Sequence, residues 1–496
     1  MLNRRSFLTA AGLAGLAAPR VLPALAQATP EVMAVDRVVF DLPEEPTTIH
    51  PAKAYSDQEW SIVHSVYDAL IGFDADGQLR PVAAERFELI DDVTWEVSLR
   101  SGLTFHDGAT VTSAAIARGF DLVSGSDSLV ADIFGVIADV TVVDELTARI
   151  TVAAPSPWLP AQMATWHVLI PESFDENAPV GSGPFRYGNW DKGEQLTLER
   201  FADYHPAAAK GSPIADEVVY RFVPEATTRA ADVISGGADI ATFMPLDTVA
   251  SLSDAGVQVN HSPVAGSWFI RIATDTSPFD DVRVRTALNL ALDLDAFPGA
   301  LINEGSVRLA SVQPGPESMG FDPDLAPFAY DPDQAKALLT EAGAENVTVK
   351  LEITTDSYVP VCEAIVAQWA EVGITAEIVV SDKGTFNAGW TDSAAPALRM
   401  ASWSPLFDPS TLLGFVWSTG GLLSRYSNSD ADALINAAAV ETDPEVRTED
   451  YRQLANVLHD DAAAVFLWNL VQVSGVSEKA SAWTPRPDQW MLALAR

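Results

Sequence analysis

A strand–helix–strand pattern in the second half of the chain limits the possible folds more than any other feature. Apolar residues occupy every second position over 347–353 and again over 374–380, which predicts two strands. Between them, apolar residues at helical spacing over 365–372 predict a helix that ends at Gly373. Strands joined through a helix by such short links form a right-handed parallel βαβ unit. We therefore expect an α/β architecture in this part of the chain.

Two further helices are predicted around this unit. Asp331 and Pro332 form a capped helix start, and Gly343 marks the end of that helix. Another helix begins after Asp280 and Asp281. Its expected buried residues are Val284, Leu288, Ala291 and Leu292.

The first half has a different pattern, in which strands are separated by turn residues. Alternation over 95–99, 140–143 and 148–152 predicts strands, and Asp144-Glu145 predicts a hairpin between the last two. With 496 residues, the chain is about three times as long as a typical domain, so we expect two or three lobes. The 13 Trp and 21 Phe are ample for their cores. The sequence shows neither a repeat nor a low-complexity linker, so short crossings must join the lobes.

The charge balance excludes some classes of partner. There are 68 Asp and Glu residues against 30 Lys and Arg residues, which gives a formal net charge of −38 at pH 7. This field repels phosphate backbones and anionic lipids, so we expect no nucleic-acid or membrane-surface binding. Because the acidic residues are spread along the chain, they indicate a solvated acidic surface.

The first residues have the order of an export signal. A basic start with Arg4-Arg5 is followed by a short apolar stretch at 9–18 and by the small residues Ala26 and Ala28. This order predicts a cleavable twin-arginine-type signal over residues 1–28. No Cys stands at the cleavage site for a lipid anchor, and no later apolar run reaches the ~18 residues of a membrane span. We therefore expect a free periplasmic protein.

Patterns of catalytic and metal sites are missing from the sequence. It contains no P-loop, no Gly-x-Gly-x-x-Gly after a strand and no His-Glu-x-x-His. Gly181-Ser182-Gly183 lacks the outer glycines of a nucleophile elbow, so we interpret it as a tight turn. The lone Cys362 lies in an apolar helical pattern and is expected to be buried. We predict no enzyme, no cofactor and no metal site.

A series of short motifs resembles a known family over nearly the whole chain after residue 28. Each motif is weak alone, but together they follow the family's order across some four hundred residues. They are Glu45-Pro46-Thr47-Thr48-Ile49-His50-Pro51, Val66-Tyr67-Asp68-Ala69-Leu70, Gly77-x-x-x-Pro81-x-Ala83-Ala84, Leu99-Arg100-x-Gly102-x-x-Phe105-His106-Asp107-Gly108, Gly181-Ser182-Gly183-Pro184-Phe185, Tyr204-His205-Pro206, Phe279-Asp280-Asp281-Val282-Arg283-Val284-Arg285-x-Ala287-Leu288, Tyr330-Asp331-Pro332, Ala342-Gly343 and Tyr426-Ser427-Asn428. The chain resembles family 5 of the bacterial extracellular solute-binding proteins, which includes oligopeptide- and dipeptide-binding components of ABC importers.

The resemblance implies an α/β, two-lobed periplasmic binding protein of type II, which closes by a hinge around a central cleft. Lobe I would hold residues 29–264 plus 466–496, with an extra subdomain at about 55–168, and lobe II would hold 265–465. The expected partners are a small solute and ABC permease subunits of the inner membrane, and we expect a monomer. Most of the shared glycines and the Asp281, Arg283 and Arg285 group should have structural roles.

The resemblance also points to ligand-binding residues. Peptide binders of this family often have a Trp, then an Asp-containing loop that pairs with the peptide ammonium, then Asp-Pro. Here Trp403 and Asp408-Pro409 match the ends, but no Asp lies between them, so the ammonium anchor is Asp408, another acid or absent. The expected ligand-binding residues are Trp403, Asp408, Tyr358, Trp268, Trp417 and Tyr55.

The predicted function is capture of a peptide or peptide-like solute for import. An alternative is the same transport role with an opine, an oligosaccharide, glutathione, a nickel chelate or haem, since family members bind such ligands. An exported hydrolase is a second hypothesis, although it lacks a nucleophile or metal pattern. A metal or haem carrier is a third, against which the seven scattered His residues speak.

Overall fold

The computed structural model of the chain describes residues 34–74, 77–205, 210–354 and 359–495. They belong to a single unit, Val32–Arg496. The predicted export signal at 1–28 lies outside the described residues. None of the described helices has the length and apolar character needed to cross a membrane.

Strands and helices alternate along these ranges. The strands are β1 (Val35–Leu42), β2 (Ile71–Phe73), β3 (Leu79–Pro81), β4 (Ala84–Asp91), β5 (Thr94–Leu99), β6 (Ile137–Val142), β7 (Thr147–Val152), β8 (Phe185–Asp191), β9 (Gln195–Arg200), β10 (Ser212–Pro213), β11 (Ala215–Phe222), β12 (Ile240–Ala241), β13 (Gln258–Ile272), β14 (Val347–Ile353), β15 (Ile374–Val380), β16 (Leu398–Trp403), β17 (Ala464–Val476) and β18 (Leu494–Ala495). The α-helices are α1 (Asp57–Val66), α2 (Ala114–Val123), α3 (Ala131–Phe134), α4 (Leu159–Trp166), α5 (Ala226–Ser235), α6 (Leu246–Asp254), α7 (Val282–Leu290), α8 (Pro332–Glu341), α9 (Val359–Glu371), α10 (Lys383–Ala388), α11 (Ser410–Leu412), α12 (Ser429–Val440) and α13 (Pro444–Asp460). Short 3-10 helices span Leu294–Ala296 and Glu478–Ala480, and a π-helical turn spans Leu413–Trp417.

A mixed sheet runs through the molecule. Within the described ranges its ten strands have the order β15-β14-β16-β13-β17-β12-β1-β11-β9-β8. The long strands β13 and β17 pair antiparallel from Gln258↔Val476 to Arg271↔Ala464, with irregular register near residues 263–269. The lobe boundaries expected after residues 264 and 465 fall inside these two strands, and the positions of these boundaries stay a prediction.

The predicted βαβ unit is confirmed. Strands β14 and β15 are parallel from Val347↔Ile374 to Ile353↔Val380, and α9 connects them. On α9, Cys362 and Trp369 are fully buried, in a core shared with α7 and β13. Burial raises the pKa of the Cys362 thiol to about 12, so the thiol stays protonated and unreactive.

The predicted strands of the first half are confirmed as well. Together with β4, which was not among the predicted strands, they form a four-stranded antiparallel sheet in the order β4-β5-β7-β6. The β6–β7 hairpin turns where expected, and the Asp144 carboxylate accepts bonds from the backbone N–H groups of Leu146 and Thr147, both at 2.9 Å. This sheet packs on α2 and α4 around a core of its own.

Helix caps occur at the predicted positions. The Asp331 carboxylate accepts from Gln334 N at 2.8 Å at the start of α8, and Asp281 accepts from Arg283 N at 2.8 Å at the start of α7. Arg283 and Arg285 stabilise the region of α7 as expected, because Arg283 pairs with Asp281 and Arg285 bonds Asp461.

The motif glycines have two different roles. Gly102 and Gly108 adopt left-handed φ angles of +80° and +86°, which glycine adopts without steric cost, in line with the structural role expected of them. Gly183 and Gly181 do not adopt a left-handed φ, and they permit a close backbone approach instead. A Cβ on Gly181 would lie 2.0 Å from the Val66 carbonyl oxygen at the end of α1.

Candidate functional site

A cavity of about 910 Å³ lies between two groups of chain segments. The first wall comes from residues 44–73 and 129–166, and the second wall comes from residues 354–412. First-wall residues are Glu44, Glu45, Thr47, Lys53, Tyr55, Ser56, Asp57, Gln58, Glu59, Trp60, Phe73, Leu129, Ile133, Ala161, Gln162, Thr165 and Trp166. Second-wall residues are Thr354, Lys383, Phe386, Asn387, Trp390, Met400, Ala401, Ser402, Trp403, Ser404, Pro405, Phe407, Asp408, Thr411 and Leu412.

Direct contacts between described residues join the walls. Gln162 Nε2 on α4 donates to Thr411 Oγ1 on α11 at 2.9 Å. The rings of Phe73 and Phe407 lie with their centroids 4.4 Å apart. The walls therefore meet at part of the cavity margin, which defines a bounded cleft.

The first wall is organised by the start of α1. Ser56 caps the helix by accepting from Glu59 N at 3.3 Å. Buried Glu59 in turn accepts from Thr47 N at 3.0 Å and from Tyr55 N at 2.6 Å. The Glu59 carboxylate therefore holds the loop before α1. Because its oxygens already accept bonds from backbone N–H groups, they are less available to a ligand.

Asp57 is the first residue of α1, and its carboxyl differs from that of Glu59 in its hydrogen-bond partners and its burial. It lines the cleft, and no hydrogen-bond donor or cation of the described residues acts on it. Burial raises the pKa of Asp57 to about 7, and the negative charge of Asp488 adds to the rise. Asp488 is itself paired with Arg486 at 2.8 Å. A cationic group in the cleft would therefore gain a strong partner at Asp57.

Aromatic rings surround this end of the cleft. Tyr55, Trp60 and Trp166 lie with ring centroids 5.8 to 6.2 Å apart, and all three line the first wall. Tyr55 is 55% exposed, so its ring is available to a ligand. Buried Trp60 has an indole N–H without a hydrogen-bond partner in the described part of the chain. These rings offer apolar area, π faces and one free donor to a solute.

The second wall follows the end of β16 and the loop after it. Met400, Ala401, Ser402 and Trp403 lie on this strand, which pairs with β13. Its polar groups include the exposed Lys383 ammonium on α10, which takes part in no ion pair of the described ranges. Lys383 is thus free to pair with an anionic group of a solute.

Asp408 lines the cleft, but its charge is already matched. Arg447 Nη1 and Nη2 donate to the two Asp408 carboxylate oxygens at 2.7 and 3.1 Å, and Ser410 N donates at 3.0 Å. The side chains of this pair are only 8% and 3% exposed. A ligand ammonium at Asp408 would have to compete with a buried bidentate arginine. The arrangement favours another acid as the amine partner.

The structure separates the six residues expected from the sequence. Tyr55, Trp403 and Asp408 line the cleft. Trp417 is buried in a core against Phe269, with ring centroids 5.1 Å apart, and it is absent from the cleft lining. Trp268 packs beside the core of the βαβ unit and also lies off the lining. Tyr358 lies outside the described residues.

Sequence reasoning missed several cleft residues. Asp57, Trp60 and Trp166 on the first wall carry no motif of their own. The helix-start pattern Ser56-Asp57-Gln58-Glu59 signals a cap, but nothing in it distinguishes the committed Glu59 from the unpartnered Asp57. That difference appears only when the loop before α1 folds onto Glu59.

The described residues were also compared with the metal-site and serine-nucleophile patterns considered from the sequence. They contain no group of three or more His, Cys, Asp or Glu side chains that could hold a metal ion. The buried Ser182 hydroxyl has no hydrogen-bond partner in the described part of the chain, so no base is positioned to activate it.

Comparison with known protein families matches residues 78–423 to a family described as bacterial extracellular solute-binding proteins, family 5 Middle. The glutathione-binding protein GsiB of Salmonella typhi is 28% identical over 493 residues, which cover 92% of this chain and 93% of the relative.

Solved structures agree in fold. The ABC transporter substrate-binding protein CtaP of Listeria monocytogenes aligns with a TM-score of 0.82 and 20% identity, covering 93% of this chain and 99% of that one. The periplasmic binding protein DppA of Helicobacter pylori in complex with the peptide STSA aligns with a TM-score of 0.77 and 21% identity. The alignment covers 93% of this chain and 97% of that one. The predicted fold class, a two-lobed α/β periplasmic binding protein, is confirmed.

Proposed function

Because the chain belongs to family 5 of the bacterial extracellular solute-binding proteins, we propose that it captures a peptide-like solute and delivers it to an ABC permease. The observation that carries this proposal is the cleft of about 910 Å³ between two walls. Small-molecule sites typically occupy about 300–1,000 Å³. A solute the size of a short peptide would fit, and the relative's glutathione is a tripeptide-sized example.

The charged groups of the cleft favour a zwitterionic solute. Asp57 on the first wall would bind the ammonium group, because its carboxyl is partly desolvated and no cation of the described residues lies beside it. Lys383 on the second wall would bind a carboxylate. Tyr55, Trp60 and Trp403 would pack on the apolar parts of the solute. Asp57 thus replaces the loop acid that this chain lacks.

Closure of the two lobes would trap the solute. The proposed lobes are residues 29–264 plus 466–496 and residues 265–465, and the hinge would lie in β13 and β17, where both lobe boundaries fall. Solute contacts to both walls would favour the closed form over the open one. We also propose export through the signal at 1–28, a periplasmic location and a monomeric state.

Native mass spectrometry of protein purified from the periplasm tests this function. We expect a bound small molecule that denaturation releases and that fragmentation identifies as a peptide or glutathione-like compound. Calorimetry should then give a saturable, 1:1 isotherm with the identified compound. A released sugar, opine or metal chelate would contradict the peptide-like solute and keep the transport role. No bound molecule, together with no change in Tm across a broad peptide and metabolite panel, would contradict solute binding itself.

A further inference from the structure

Two arginines lie next to each other behind the second wall. Arg271 on β13 and Arg399 on β16 are direct register partners. Their exposed fractions are 1% and 0%. Each guanidinium carbon lies 5.0 Å from the ring centroid of Trp390, a residue that lines the cleft. The pair is therefore separated from the cleft by little more than this one indole ring.

The charges around the pair do not balance. Arg399 Nε donates to Glu352 at 2.7 Å, and nearby Arg425 pairs with Asp275 at 2.7 Å. Arg271 takes part in no ion pair of the described residues, and its Nη1 donates to the Leu423 carbonyl at 3.4 Å. The neighbourhood thus holds one buried positive charge in excess. An unpaired buried charge is strongly unfavourable, because it has lost its hydration without gaining a counter-charge.

Hydrogen-bond donors are also left over at this place. Arg271 Nε, Arg271 Nη2 and Arg399 Nη1 are buried and have no partner in the described ranges. Burial, together with the positive charges of Arg399 and Arg425, lowers the pKa of Arg271 to about 9. Water could satisfy the free N–H groups, but it could not balance the charge. An anion would do both.

Close packing around Arg399 keeps its guanidinium in place. A Cβ on Gly389 would lie 2.8 Å from Arg399 Nη2, so the residue after α10 must be small here. Arg399 also stacks on Phe386 at 4.1 Å. The unpartnered Nη1 therefore belongs to a fixed group.

We infer that Arg271 and Arg399 form a binding site for one small monovalent anion. The occupant is a halide-sized free anion or a carboxylate group of the solute in the cleft. The excess of one positive charge fits a monoanion better than a dianion. The free-anion form is independent of the proposed function, whereas the carboxylate form rests on it.

Crystals of the wild-type protein grown without solute and soaked in sodium bromide test the site directly. We expect an anomalous bromide peak within hydrogen-bonding distance of Arg271 Nε and Arg399 Nη1. Water alone at this position, with no bromide peak, would contradict the free-anion form.

Melting experiments at constant ionic strength provide a second measurement. Replacing sodium gluconate with sodium chloride should raise Tm in a saturable way, because the smaller anion binds only the folded state. Arg271→Met should lose this rise. The control Arg283→Met removes an arginine that Asp281 already balances and that is not among the charges acting on Arg271, and it should keep the rise. If Arg271→Met does not fold, the wild-type bromide experiment decides.

The same crystals with solute bound distinguish the two sources of the anion. If the solute carboxylate occupies the pair, the bromide peak should disappear and chloride should weaken solute binding. If the site takes a free anion, bromide should remain and the solute Kd should be the same in chloride and gluconate. No bromide in either crystal, no chloride effect on Tm and no carboxylate at the pair would together overturn the inference. A failure to find any solute would leave the bromide result intact.

Discussion

At the scale of single residues, three of the five described acids that line the cleft are in three different states. Glu59 is committed to backbone N–H groups, Asp408 is matched by buried Arg447, and Asp57 has no cationic partner in the described residues. Of these three, only Asp57 is both desolvated and available to pair with a cationic group of a ligand. The surroundings of a carboxylate, and not its presence, therefore decide which acid can recognise a solute.

Asp57→Asn should weaken binding of an ammonium-bearing solute and stabilise the empty protein at pH 8. Since the native pKa of Asp57 is about 7 and the unfolded value about 3.8, its contribution to stability is present below pH 3.8 and is lost as pH rises to about 7. Asn cannot ionise, so the variant avoids this loss of stability at high pH, and it also lacks the carboxylate that would pair with the ammonium group. Calorimetry should show a higher Kd, and melting should show a higher Tm at pH 8 with little difference near pH 4.

Exposed Glu44, which also lines the cleft, provides the control for Asp57. Glu44→Gln removes the same charge without removing a desolvated carboxyl, and both Kd and Tm should stay near the wild-type values. In the wild type, solute affinity should fall between pH 8 and pH 5, because Asp57 becomes protonated. A pH-independent affinity, or equal effects of the two variants, would contradict Asp57 as the ammonium anchor.

Whereas Asp57→Asn should stabilise the protein, Asp408→Asn should destabilise it. It leaves Arg447 buried without its counter-charge, and the expected loss of stability is about 3–5 kcal/mol. Urea unfolding at pH 7 measures this loss. If Asp408 were the amine partner instead, the variant would lose solute affinity while keeping most of its stability.

At the scale of elements, several shared motifs come together in one structural cluster. His106 Nε2 contacts the Gly183 carbonyl at 3.0 Å, and Gly183 N donates to the Val66 carbonyl at the end of α1 at 2.9 Å. Next to them, Lys210 and His205 bond the buried Asp68 carboxylate, each at 2.9 Å. Burial raises the pKa of Asp68, but these two partners outweigh it and hold the pKa at about 2. The cluster fixes the end of α1, whose start forms the cleft wall.

Gly181→Ala tests this close packing. The added Cβ would lie 2.0 Å from the Val66 carbonyl oxygen, so backbone must move, and we expect a loss of about 1–3 kcal/mol. Gly414→Ala is the matched control, because nothing lies within 4 Å of its Cβ and its φ is not left-handed. Urea unfolding should show the loss for the first variant and little change for the second. Equal stability of both variants would contradict the packing role.

Secondary structure was largely predictable where local signals were sufficient. The strands at 347–353 and 374–380, the caps Asp331 and Asp281, and the hairpin at Asp144 follow from periodicity and capping, which act within a few residues. Gly181-Ser182-Gly183 was different. Its glycines are needed because the backbone of the distant Val66 packs closely against them, and not because the local φ is left-handed. A glycine needed for a left-handed φ and a glycine needed for close packing look the same in a sequence.

At the scale of the whole molecule, the sheet links the two sides of the cleft through β13 and β17. We expect a solute to draw the walls together about these strands. Small-angle X-ray scattering should then show a smaller radius of gyration with the solute that native mass spectrometry identifies. Asp57→Asn at the same solute concentration should keep the larger value. An unchanged radius for the wild type under conditions of saturated binding would contradict hinge closure.

The sequence alone determined the family, the α/β class and most local elements, because ordered motifs, alternation and capping are properties of neighbouring residues. The family resemblance also pointed to Tyr55, Trp403 and Asp408, which line the cleft, and their role in ligand binding stays a prediction. Only the tertiary structure decided that Asp408 is matched by Arg447 and that Asp57 is not matched by any cation of the described residues. It also put Trp417 in a core and brought Arg271 beside Arg399. Burial and counter-charges come from residues that are far apart in the chain, so the fold itself assigns them.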